Sequence, residues 1–229
     1  MDLDRYNYLQ RRDIKLAEII PDQMLELMEM LIHWIFQVGE QNNLEIKTIE
    51  LAAILSKLYL SKQLIDSDRV YLIGIVSLMI AVKFNECQNK IQMNIQDCVN
   101  QCQSKYSSKE ITDMEMSLLS LIEYDANITT ITDYYDGEAV QIDLVLFVTL
   151  DSEFLYFQKY ELYEAIRNFY SKDTSNLSEN TKNIIKRISA KINQLTANDE
   201  NNTPKIKRKT IKKKKFRRSR FYSQQSITL

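Results

Sequence analysis

Residues 70–82 read VYLIGIVSLMIAV, and apart from Gly74 and Ser77 the run is apolar. It is too short to cross a hydrocarbon layer, which takes about 20 apolar residues in a helix. The segment must therefore be enclosed by protein, as the central helix of a bundle, and Asp66 is a good N-cap for a helix continuing through Phe84. A glycine in mid-helix costs about 1 kcal/mol relative to alanine. Gly74 thus marks a place where a neighbouring helix comes close. The chain holds only 3 glycines and 2 prolines in 229 residues, too few for a turn-rich β fold. Period-3.6 patterns recur along most of it, so the expected class is all-α, in one domain or two small ones.

Other helices follow from the same periodicity. From Met24 to Gly39 the polar residues Glu26, Glu29, His33 and Gln37, with Glu40 just beyond, make one narrow stripe, which places His33 on the solvent side. A second helix is expected over Lys47–Leu60 and a weaker amphipathic one over Ile91–Cys102. The sequence SSKE, Ser107–Glu110, reads as a capping box opening a helix whose core face is Ile111, Met114, Leu118 and Leu121. Glu115 interrupts that apolar neighbourhood. Beyond Asp125 the pattern predicts one helix up to Leu150, another over Ser152–Tyr170, and a last one with Ile184, Ile188, Ile192 and Leu195 on one face. Thr196–Pro204 has almost nothing to bury, so it and the tail are expected to be disordered.

The net charge of −1 conceals a division. Between Lys205 and Tyr222 stand 11 cations and no acid: Lys205, Lys207, Arg208, Lys209, Lys212, Lys213, Lys214, Lys215, Arg217, Arg218 and Arg220. Setting those 11 aside from the 30 Lys and Arg of the chain leaves 19 against 31 acids, a body of −12. The tail reads as a nuclear import signal, as an arm contacting nucleic-acid phosphates or an acidic partner, or as a plain solubilising segment. An acidic body argues against DNA binding by the helices themselves.

No secretory leader is visible at the N-terminus, so an intracellular protein is expected. Cys87, Cys98 and Cys102 form no CxxC pair. Cys98 and Cys102 share a helix face, which suits buried free thiols, or a metal were more ligands at hand than the single histidine of the chain. No Gly-rich phosphate loop, nucleophile motif or His and carboxylate cluster points to an enzyme, and no cofactor is implied.

The stretch WIFQVGEQNNLEIKTIELAAILSKLYLS, Trp34–Ser61, resembles the W-L-x-x-V-x-x-x-x-x-L-x-x-x-T-x-x-L-A-x-x-x-x-D-R-F-L-S run of the cyclin box. The Gly-containing helix ending Ala81-Val82-Lys83-Phe84-Asn85-Glu86 and the Met114-Glu115 step of the fifth helix match the family as well. The resemblance implies a five-helix cyclin box over 24–125, after an N-terminal extension over 1–23. A shortened, divergent helical region over 126–195, with room for three or four helices, and a disordered basic tail over 196–229 complete the expected division.

It further implies a regulatory subunit, not an enzyme, that pairs with a cyclin-dependent protein kinase; with the basic tail as an import signal, a nuclear location beside a cytoplasmic pool is expected. Lys83 and Glu115 fall on the family's lysine and glutamate that hold the kinase's movable helix, with Phe84, Leu119 and Tyr124 as apolar surroundings; the alternative for the two is a plain intramolecular salt bridge, and both roles are compatible. The alternative is a cyclin-fold scaffold in a transcription or DNA-handling complex, with no kinase activated.

The family's docking patch for substrate motifs corresponds to Leu27, Met30, Leu31, Trp34 and Gln37. Its arginine reads Met28, the aspartate partner of that arginine is assigned to Ser56, and its glutamine reads Tyr71. With the ion pair gone, core packing is the expected role of this stripe. Arg69–Leu72 has the form of a destruction motif but is expected to lie in a buried helix.

Overall fold

The computed structural model describes residues 3–13, 22–63, 65–86, 92–135, 141–171 and 175–202. Among them every regular element is helical: α1 (Leu3–Arg11), α2 (Asp22–Gln41), α3 (Ile46–Lys62), α4 (Val70–Asn85), α5 (Ile95–Gln101), α6 (Ser108–Leu121), α7 (Ile142–Leu150), α8 (Lys159–Asn168) and α9 (Glu179–Asn202), with short 3-10 turns between some of them. None of these helices is long and apolar enough to cross a membrane. The basic tail from Lys205 to Arg220 lies outside the described residues, as do Cys87 and Ile91.

α4 is the axis, as its composition requires. Residues 70–82 are all buried, and α2, α3, α5 and α6 pack around them. A Cβ on Gly74 would stand 2.6 Å from Leu31 Cδ1 and 3.1 Å from Trp34 Cζ3. Both belong to α2, so the glycine lets the two helices close to contact, and packing outweighs its poor propensity. The entry to α4 differs from expectation. Asp66 is extended, but its side chain caps no helical N–H, and a 3-10 turn over Ser67–Arg69 leads in instead. Arg69 is exposed while Leu72 is buried, so Arg69–Leu72 straddles the surface.

Local signals place the next two helices. Ser107 Oγ accepts from Glu110 N–H and Glu110 Oε2 accepts from Ser107 N–H, at 3.3 and 2.9 Å. Asn94 and Asp97 make the same reciprocal cap at the start of α5. That helix is accordingly shorter than the span expected from Ile91.

α2 to α6 enclose one apolar cluster, and a second lies between α1, α7, α8 and α9. The N-terminal helix was not foreseen. It is short and polar, and its anchorage is tertiary: Leu9 is buried in the second cluster, Arg12 clamps both oxygens of Asp125 at 2.9 and 2.7 Å, and Arg12 O accepts from Thr129 N–H. Asp13 continues the strap by pairing with Lys159 at 3.0 Å.

The expected helix over Ser152–Tyr170 is broken. Asp151 Oδ1 accepts from Glu153 N–H, a 3-10 turn follows over Ser152–Phe154, and α8 starts only at Lys159. The turn buries Phe154 in the second cluster, which a continuous helix would not do. α9 in turn runs past Leu195 to Asn202. The expectation of disorder is thus corrected over 196–202, because once a helix is nucleated each further residue adds a hydrogen bond without needing an apolar stripe.

Candidate functional site

Lys83 occupies the last turn of α4 and Glu115 the middle of α6. The packing of those two helices brings Lys83 Nζ to 2.6 Å from Glu115 Oε1. The lysine side chain is 51% exposed and the carboxylate 16%. An exposed pair of this kind stabilises a fold by less than about 1 kcal/mol. What distinguishes it is the surface around it. Phe84, next to Lys83, is 44% exposed, and Met116, next to Glu115, is 52% exposed. Leu119, one turn further along α6, is half-buried against the first cluster.

Tyr124 completes the set. α6 ends with Tyr124 N–H bonded to Leu119 O at 2.8 Å, Glu123 at φ 51° and Tyr124 at φ 60°. This is the closure usually made with glycine in the left-handed position. Here it holds a bulky aromatic in a sparsely populated conformation and leaves it 63% exposed. Lys83, Phe84, Glu115, Leu119 and Tyr124 thus come from the ends and outward faces of two packed helices. Met116 escaped the sequence reading, although the spacing Ile111, Met114, Leu118 already turned it away from the core.

The other candidate stripe is less open. Leu31 is fully buried, Leu27, Met30 and Trp34 are half-buried against the first cluster, and Trp34 meets Tyr71 edge to face with ring centres 5.1 Å apart. Gln37 Nε2 lies 3.1 Å from His33 Nε2, and burial lowers the pKa of that half-buried histidine. Counting the family run along Trp34–Ser61 puts its aspartate at Lys57, which corrects the assignment to Ser56. Met28 and Lys57 are both buried. Cys98 and Cys102 are buried free thiols, pushed up to about 12 and about 11, mainly by desolvation.

Three buried charged residues were also missed. Glu86 is fully buried, and its Oε1 accepts from Glu45 N–H at 2.8 Å and from Thr48 Oγ1 at 2.7 Å. Glu50 accepts from the N–H groups of Ile131 and Thr132, both at 3.1 Å, and from the Thr132 hydroxyl. Lys57 donates to Thr149 O. The available signal was a charge set between apolar neighbours on α3 or at the end of α4; the partners lie 38 to 92 residues away.

A sequence model of the cyclin N-terminal domain matches residues 4–127. The G2/mitotic-specific cyclin-B3 of Drosophila melanogaster is 30% identical over 131 residues, 55% of this chain and 22% of that protein. Human G2/mitotic-specific cyclin-B3 is 28% identical over 130 residues, 54% of this chain and 9% of that protein. The G2/mitotic-specific cyclin C13-1 of Daucus carota is 24% identical over 140 residues, 57% and 40% of the two. The matched stretch therefore spans between about a tenth and two fifths of those relatives' own length. With more than half of its residues matched by the family model, on a helical scaffold of the expected kind, this chain belongs to the cyclin family.

Proposed function

We propose that the protein is a regulatory subunit that binds and activates a cyclin-dependent serine/threonine kinase through the face made by Lys83, Phe84, Glu115, Leu119 and Tyr124. The observation that carries this reading is the 2.6 Å Lys83–Glu115 pair set in exposed apolar surface. Such an arrangement offers a partner a donor, an acceptor and area to bury, and charge-assisted bonds at an interface are short and strong. Binding at this face shifts the kinase toward the active arrangement of its helix and activation loop. The protein performs no chemistry of its own.

Purification of the full chain from its cells tests the proposal. A kinase catalytic subunit at equal amount, with phosphotransfer activity that depends on the chain, is the expected result. DNA-handling proteins in the absence of a kinase would favour a scaffold and overturn the activator reading. The basic run from Lys205 to Arg220 is read as the import signal: removing residues 205–229 is expected to leave kinase binding unchanged and to lower nuclear accumulation, scored by fluorescence microscopy. An unchanged distribution refutes that part.

A further inference from the structure

Two features of the Glu86 contacts are unusual. The bonded N–H belongs to Glu45, the N-cap of α3, and the hydroxyl to Thr48, the third residue of that helix. In a capping box the acid at the third helical position reaches back to the N-cap N–H. Here that position is a threonine, and an acid at the end of α4 takes the role from 41 residues away. An anion at this end of α3 also meets the positive pole of the helix dipole. The Glu45 side chain caps no N–H of its own helix, so Glu86 supplies from α4 what α3 lacks.

Glu86 is also the C-cap of α4, with its N–H donating to Val82 O. Lys83 and Phe84 lie within the turn that this bond closes. Anchoring the carboxylate to α3 therefore fixes the height and rotation of the last turn of α4, and with it the directions in which Lys83 and Phe84 leave the surface. The Lys83–Glu115 contact ties the same turn to α6. The turn is held between two helices, from inside by Glu86 and from outside by the ion pair.

We infer that Glu86 is a positioning residue for the kinase-facing site, acting through the amide of Glu45 and the hydroxyl of Thr48 to present Lys83 and Phe84 to the partner. This rests on the reading of that face as the kinase interface. Glu86 and Thr48 are both fully buried, so neither touches a partner, and any effect on binding passes through the turn.

Thr48→Val keeps the side-chain shape and removes the hydroxyl donor; Thr48→Ser restores it; Glu86→Gln keeps an acceptor oxygen and removes the charge. Each full-length variant is titrated by calorimetry with the kinase catalytic subunit, so that stoichiometry reports the folded fraction and the dissociation constant reports the site. Thr48→Val is expected to weaken affinity about tenfold at unchanged stoichiometry, with faster amide exchange at Lys83 and Phe84. Glu86→Gln is expected to weaken it less, and Thr48→Ser to return it to the wild-type value. If Thr48→Val and Glu86→Gln lower the melting temperature or the stoichiometry while the folded fraction binds as wild type, Glu86 is merely structural and the inference fails. Exchanging the charges of Lys83 and Glu115 in the same assay separates the two levels. If that exchange leaves affinity untouched, the interface reading itself falls; if it abolishes binding while the Thr48 and Glu86 variants bind normally, only the positioning role is lost.

Discussion

Swapping the two charges in one protein, Lys83→Glu together with Glu115→Lys, is expected to weaken kinase binding at least about a hundredfold and to abolish activation. The melting temperature should move by no more than about 2–4 °C. The exchanged pair still attracts across the same gap, and an exposed pair contributes less than about 1 kcal/mol to begin with, so the fold has little to lose. A partner built to meet a cation at the end of α4 and an acceptor on α6 instead meets like charges in both places. Leaving a desolvated charge unpaired at an interface costs about 2–5 kcal/mol, about thirtyfold or more in affinity, and two such charges together pass a hundredfold. Calorimetric titration and a phosphotransfer assay with the same kinase subunit read both consequences. Wild-type affinity in the exchanged protein would show that the kinase sits elsewhere.

How far this site could be read in advance depends on the range of the interactions that build it. The capping box at Ser107, the core face Ile111, Met114 and Leu118, and the apolar run of α4 are set by residues within one or two turns, and all stand as expected. Gly74 was legible because a helix tolerates glycine at its centre only when a neighbour requires the space, and Leu31 and Trp34 supply that neighbour. Lys83 and Glu115 were each assigned by resemblance, but their 2.6 Å contact depends on how α4 and α6 cross, and single-helix patterns carry no crossing geometry. The elements that were missed are those whose stability is tertiary. α1 has no wide apolar stripe and stays in place through Leu9, Arg12 and Asp13 against residues more than a hundred positions away. The break at Ser152 reflects the burial of Phe154, which outweighs helical continuity. Nothing local to Glu86, Glu50 and Lys57 foretells their burial, and only their distant partners account for it.

The last two residues make the stability of the protein depend on pH in an uncommon way. Glu50 and Lys57 lie on α3 and border one small cavity of about 40 Å³, closed by Ile131, Thr149 and Lys159 among others. Burial raises the Glu50 carboxyl to about 7 although its three donors favour the ionised form. Burial, with Lys159 next, lowers the Lys57 ammonium to about 7, against the opposing pull of Glu50, Asp151 and Glu29. Between about pH 4.5 and 7 the folded chain keeps a proton on Glu50 that the unfolded chain releases, so stability falls as pH rises, by about 3 kcal/mol over that window. Above pH 7 the unfolded chain keeps a proton on Lys57 that the folded chain has lost. Stability therefore rises again, by about 2–3 kcal/mol from pH 7 to 9. Denaturant unfolding of wild type, Glu50→Gln and Lys57→Met at a series of pH values reads each limb, because groups away from the cavity cancel in the difference and the loss of the Glu50 charge moves only the start of the Lys57 limb, to lower pH. Relative to wild type, Glu50→Gln is expected to gain stability from pH 4.5 to 7 and then run parallel, whatever constant offset its amide introduces beside the donors of Ile131 and Thr132. Lys57→Met is expected to run parallel below pH 7 and to lose ground above it. Curves parallel to wild type throughout would mean that both groups titrate in the fold as they do in the unfolded chain, and burial at the junction between α3, α7 and α8 would then leave stability indifferent to pH.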